Sequence, residues 1–164
     1  MKTRESFLVL IEELEGNMRE LDRARRRNDE AWERIQAGAS SPIDWGALGF
    51  TLHNLYGILE NYFLRVSKFF ENNLDANRWH RALVEKMALD IPDIRPAVLS
   101  GERMKYPTIE LLKFRHRLRN LYGEDLDPVK TAEIQRLATE LVLGFKDQHS
   151  AFTRKIRSIA EAVR

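Results

Sequence analysis

The stretch PIDWGALGFTLHNLYGILENYFLRVSKFF, residues 42–70, decides the fold class. Leu48, Leu52, Leu55, Tyr56, Leu59, Phe63, Val66 and Phe70 recur at three- and four-residue spacing. That period belongs to one face of an α-helix, and a face this apolar and aromatic predicts the centre of a core. Ser41 reads as its N-cap, Pro42 as its first residue and Asp44 as a first-turn acid that complements the helix dipole. One polar residue, Glu60, interrupts the face beside Tyr56. An isolated buried carboxylate is costly, so Glu60 is expected to pair with an arginine elsewhere in the chain; a plain surface glutamate is the alternative.

Outward from this helix the same periodicity continues. Upstream, Phe7, Leu10, Ile11, Leu14, Met18 and Leu21 form a stripe on a helix over about Arg4 to Gln36, stopped near Gly38. Small, turn-forming residues 37–42 join the two. Downstream, a turn at Asn72 to Asn77 precedes a shorter helix, about Arg78 to Leu89. Pro92, Pro96, Gly101 and Pro107 make residues 90–107 a long loop, of the kind that is functional or pinned by side chains. A fourth helix is expected from Thr108 to Tyr122, with Gly123 as its stop. Asp127-Pro128 opens a long fifth helix carrying Ile134, Leu137, Leu141, Phe145, Phe152, Ile156, Ile159 and Val163, with Gly144 marking a close helix crossing. No strand alternation or repeat is present, so the prediction is an all-α antiparallel bundle of about five helices in one domain, residues 1–164.

Composition excludes several classes of function. The 164 residues contain no cysteine, which removes disulfide scaffolds, thiol nucleophiles and thiolate zinc sites. Twenty-seven Lys and Arg against 25 Asp and Glu give a net charge of +2, too balanced for a polybasic coat protein. A mean hydropathy of −0.46 and the absence of a long apolar run predict a soluble chain without a membrane span. The run Phe7 to Ile11 is cut by Glu12 and Glu13, so no secretory leader is expected and the location is expected to be cytoplasmic. Phe50, Asn77, Lys113 and Lys146 stand three residues before the four histidines, so no Glu-x-x-His metal motif exists. Phosphate-loop, dinucleotide and nucleophile-elbow motifs are also absent. No metal site and no cofactor are expected.

The fourth helix concentrates the charge. Residues 111–122 read LLKFRHRLRNLY, with Lys113, Arg115, Arg117 and Arg119 and no acid. At about 100° per residue, Arg115, Arg119 and Tyr122 share one face, and His116 and Asn120 form its flank. A solvated basic face is the plain interpretation. Mixed Arg, His, Asn and Tyr without supporting acids instead suit a phosphodiester: guanidinium forks onto phosphate oxygens and imidazole moves protons near neutral pH. The run Arg23, Arg25, Arg26 and Arg27 reads as a solvated helix end, with RNA-backbone contact as the alternative. His80 reads as a structural histidine or a contributor to a cleft; His53 and His149 read as ordinary; Trp32 and Trp45 read as core or interface.

Arg115-His116-x-x-Arg119-Asn120-x-Tyr122 is similar to the signature of the HEPN superfamily, in its HepT-like branch. That signature is an arginine and a polar residue, then a histidine after a four-residue gap, then one residue and a tyrosine. Tyr56-x-x-x-Glu60, Trp79-His80, Arg95-Pro96-Ala97-Val98 and Leu126-Asp127 agree with one subgroup, so the resemblance covers about residues 48–145. It implies a helical bundle that forms a homodimer, with the two signature helices facing a shared cleft. It also implies a metal-independent ribonuclease toxin acting on RNA, often paired with a nucleotidyltransferase antitoxin of the MNT type that adenylylates the signature tyrosine. Carried over by position, Arg115, His116 and Tyr122 would be catalytic, Arg119 and Asn120 would hold RNA, and Tyr122 would be the modified residue. Asn120 stands where the family has histidine. Asparagine orients oxygens but is no general base, so either His116 takes over proton transfer or catalysis is weakened and the protein binds RNA, a nucleotide or its partner without cutting. A helical adaptor with an incidental basic face is the third possibility.

Overall fold

The structure, a computed structural model, describes residues 2–71, 79–121 and 123–163. Its described residues form five α-helices: α1 (Arg4–Gln36), α2 (Pro42–Phe70), α3 (Trp79–Met87), α4 (Glu102–Arg119) and α5 (Pro128–Ala162). The expected turn at 72–77 lies outside the described residues.

Local signals set most boundaries. Ser41 accepts a hydrogen bond from the Asp44 amide at 3.3 Å, and Asp44 accepts one from the Ser41 amide at 3.1 Å. This reciprocal capping box satisfies two otherwise orphaned donors at the start of α2. Thr3 and Ser6 do the same for α1. Asp127 Oδ1 accepts from the amides of Val129 and Lys130 and opens α5 ahead of Pro128. Gly38, at φ +107°, supplies the left-handed turn past the end of α1.

The stripes of α1, α2 and α5 meet in one buried cluster that includes Leu14, Leu52, Leu59, Phe63, Leu141 and Phe145. α1 and α2 form the hairpin of the bundle, and α5 packs along both. Polar side chains set its register. Asn28 of α1 and Gln135 of α5 exchange two amide hydrogen bonds at 2.8 Å, and Asn28 also donates to Thr51 of α2 at 3.0 Å. Buried amides tolerate only alignments that pair them, so a shifted helix would leave donors unsatisfied.

Two expected boundaries move. The loop ends earlier than proline content suggests: α4 begins at Glu102, after Gly101 at φ +75°, and carries Pro107 inside it. Pro107 lacks the N–H that would bond to Arg103, yet it lies buried, and packing outweighs the missing bond. Met104 of the same turn rests on Gly144 of α5, where a Cβ would lie 2.9 Å from Met104 Cε. Gly144 therefore is the close crossing its position in the stripe suggested. At the other end α4 stops at Arg119 with Asn120 as its cap, one turn short of Tyr122.

The remaining loop is pinned by Arg95, whose side chain is 0% exposed. Its guanidinium donates to Glu71 Oε1 and to the carbonyls of Lys86, Leu89 and Pro96. The amides of Val98 and Leu99 both donate to the Met87 carbonyl. These bonds tie the loop to the end of α3 and so fix where α4 begins.

Candidate functional site

The buried face of α2 delivers Glu60 to the junction of α2, α3 and α4. The Glu60 side chain is 7% exposed and each of its oxygens has a basic partner. Arg115 Nη1 donates to Oε1 at 2.8 Å, and His80 Nδ1 lies 2.8 Å from Oε2. The pairing of Glu60 with a signature arginine is as the sequence suggested. His80 is the second partner of the same carboxylate. Burial alone would raise the Glu60 carboxyl, but the hydrogen bonds from Arg115 and His80 outweigh it and hold the group below its usual range. An ionised carboxylate only accepts hydrogen bonds, so His80 Nδ1 carries a proton. The Arg115 guanidinium also lies 5.4 Å from the centroid of the buried Tyr56 ring. Burial, and then the Glu60 charge, push the Tyr56 phenol up and keep it neutral.

Successive residues on a helix point about 100° apart, and α4 accordingly sends its functional side chains to two recesses. Arg115 lines a cleft of about 490 Å³ with Arg23 and Arg27 of α1 and His53 and Asn54 of α2. Burial first, then the charges of Arg115 and Arg119, depress the His53 pKa. Arg119 follows Arg115 by one turn of α4 and so lies on the same side of the helix. His116 lines a separate groove of about 740 Å³ with His80, Lys113 and Arg117. Asn120 braces His116: its amide nitrogen donates to the His116 carbonyl at 2.8 Å and lies 3.4 Å from Nε2. Arg115 and His116 are thus on one helix but in different recesses. Tyr122 lies outside the described residues.

Three residues of the cleft had a plainer first reading in the sequence. Arg23 and Arg27 look like a solvated helix end because their acids are near in sequence, yet both reach the Arg115 cleft. Their signal was the four-residue spacing, which places them on one face. His53 looked ordinary; its only sequence signal was its place one turn after Gly49 on the aromatic helix. Gly49 itself permits the approach of the segment after α4, since a Cβ there would lie 2.6 Å from Leu126 Cδ1.

No helix among the described residues is long and apolar enough to cross a membrane. No curated protein and no solved structure matches the chain. The family model of the HepT-like protein matches residues 47–156. That span runs from the first turns of α2 to near the end of α5, a little beyond the segment in which the sequence resemblance lies, and it contains Glu60, His80, Arg115, His116 and Asn120. With two thirds of its length inside that match, and with the helical bundle and the Glu60 junction built from the matched residues, the chain belongs to the HepT-like family of HEPN-related proteins.

Proposed function

We propose that this protein is a metal-independent endoribonuclease, the toxin of a toxin–antitoxin pair. The observation that carries the proposal is Arg115, a guanidinium fixed at 2.8 Å by buried Glu60 at the wall of a cleft shared with Arg23, Arg27 and His53. A prepositioned arginine stabilises the charge that develops on a phosphodiester without reorganising first. In this proposal Arg115 binds the scissile phosphate, His116 moves a proton, and Arg119 and Asn120 hold the RNA. The site lies at the cleft of a homodimer in the cytoplasm. Tyr122 is the residue that a small nucleotidyltransferase antitoxin of the MNT type adenylylates to silence the toxin. Incubation with such a partner and ATP adds adenylyl mass at Tyr122; mass at another residue refutes that part.

Expression of the chain is expected to arrest growth, and Arg115→Ala to relieve the arrest. Purified protein is expected to cut RNA in EDTA and leave 2′,3′-cyclic phosphate ends. Equal cutting by Arg115→Ala would show that the assigned site is wrong. Asn120 supports a second reading, a protein that binds RNA or its partner without cutting. That reading predicts no arrest, and binding that weakens with salt.

A further inference from the structure

We infer that His80 and His116 form a two-imidazole acid–base pair that cleaves RNA in the groove beside α4, with His80 oriented by Glu60. This deepens the ribonuclease proposal and rests on it. The family position for a histidine is Asn120, which cannot move a proton, so the transfer needs other groups. The structure brings two histidines from different helices, α3 and α4, to one groove of about 740 Å³. Each has a brace. Glu60 Oε2 holds His80 Nδ1 at 2.8 Å while the side chain stays 42% exposed, so the ring is accessible as well as fixed. Asn120 caps the turn that carries His116, donating to its carbonyl at 2.8 Å.

The groove also matches the ligand. Arg81, Lys113 and Arg117 line it against a single acid, Glu110, which pairs with Lys113 at 3.0 Å. Arg81 is engaged by Glu85 at 3.2 Å on its own helix. Arg117 has no ion-pair partner among the described residues, which leaves a guanidinium for the diester. The chemical class is therefore a polyribonucleotide, bound through backbone phosphate and read at the 2′-hydroxyl.

The step balances without metal or redox partner. With Nδ1–H donated to Glu60, His80 Nε2 is the nitrogen whose lone pair takes the proton of the 2′-hydroxyl. The 2′-oxygen forms a bond to phosphorus as the bond from phosphorus to O5′ breaks. Protonated His116 gives its proton to the departing O5′. The products are a 2′,3′-cyclic phosphate and a 5′-hydroxyl, and a proton returns from His80 to His116 through solvent. Arg115 lies in the other recess, so this assignment gives it a neighbouring phosphate of the same strand in place of the scissile one, and Arg115 positions His80 through the shared Glu60 carboxylate.

The test is cleavage of an end-labelled single-stranded oligoribonucleotide in EDTA by the full chain, its His80→Asn, His80→Ala and His116→Gln variants, across the imidazole range of pH. The parent kcat/KM is expected to be bell-shaped. Each variant is expected to lose about 10²- to 10⁴-fold. His80 variants lose the acidic limb of the bell and His116→Gln loses the alkaline limb. Asparagine at 80 keeps an amide donor for Glu60, so rescue by His80→Asn over His80→Ala would show a merely structural histidine and overturn the assignment. Circular dichroism confirms that each variant is folded. A parent that cuts while His80→Asn and His116→Gln keep its rate and both limbs overturns this assignment alone. A parent that cuts no RNA overturns it together with the ribonuclease proposal.

Discussion

Replacing Glu60 by glutamine removes the carboxylate that two basic side chains share while leaving the volume of the side chain unchanged. In the parent, Arg115 is 16% exposed and Glu60 7%, with the ion pair closed at 2.8 Å. Removing one partner of a buried pair costs about 3–5 kcal/mol, because the other charge stays in a poor solvent. Glutamine still offers an oxygen to Arg115, so the lower end applies, about 3 kcal/mol. At about 2–4 °C per kcal/mol for a chain of this length, the melting temperature falls by about 6–12 °C. Urea unfolding followed by far-ultraviolet circular dichroism reads the change as a shifted midpoint at constant slope. The pH dependence carries a sign. The folded-state carboxyl titrates below its ordinary 4.5, so its contribution is present in full above that value. It drains as pH falls through the folded-state pKa. Parent and variant curves should therefore run parallel near neutrality and converge in acid. A cycle with Arg115→Met isolates the pair: the double variant is expected to lose less than the sum of the singles. Additivity within about 0.5 kcal/mol would refute the coupling on which the site is built.

Three further outcomes are expected. Tyr62→Phe deletes the buried hydroxyl that lies 2.9 Å from His149 Nδ1 and leaves that nitrogen without its partner, a loss of about 1–2 kcal/mol by urea unfolding; an unchanged midpoint would contradict the contact. Gly46→Ala, in the exposed early turns of α2 where a Cβ meets nothing within 4 Å, should stabilise by about 0.5–1 kcal/mol; a loss instead would mean that this face is covered in solution. On the reading in which the chain binds RNA without cutting, Asn120→His restores the family pattern and is expected to create RNA cleavage in EDTA. No gain there would count against simple loss of the base at this position.

The bundle was readable because its signals are local. Ser41, Pro42 and Asp127-Pro128 cap by short-range hydrogen bonds, and stripes such as Leu10-Leu14-Leu21 need only a helical period to find their face. Pro107 misled because a proline breaks a helix only when nothing repays the missing bond, and burial beside Met104 is invisible in a window of sequence. Glu60 was readable in part: an acid on an apolar face demands a cation, and Arg115 answers. His80 was not readable as the second partner, since its arrival at Oε2 depends on where the loop pinned by Arg95 sets the end of α3. A helical wheel separates Arg115 from His116 but does not say what faces each; α1 and α2 wall the cleft of the first and α3 the groove of the second.

Stability alone does not account for a hydrogen-bonded trio around a buried carboxylate at that junction. Apolar residues of similar volume commonly match or exceed a buried ion pair, because desolvation consumes most of the attraction. Leucines in place of Glu60 and Arg115 would pack between Tyr56 and the end of α4, but they would accept many arrangements. Two hydrogen bonds at 2.8 Å accept few. The trio holds the guanidinium in one pose and, through an acceptor-only carboxylate, keeps the proton of His80 on Nδ1. The proposed ribonuclease chemistry calls for both, and a core calls for neither. The trio binds the two recesses of α4 into one device, since Glu60 is the residue that touches the arginine of the cleft and the histidine of the groove at once. A substitution at Glu60 should therefore disturb both recesses, whereas one at Arg117 or Arg23 should disturb only its own.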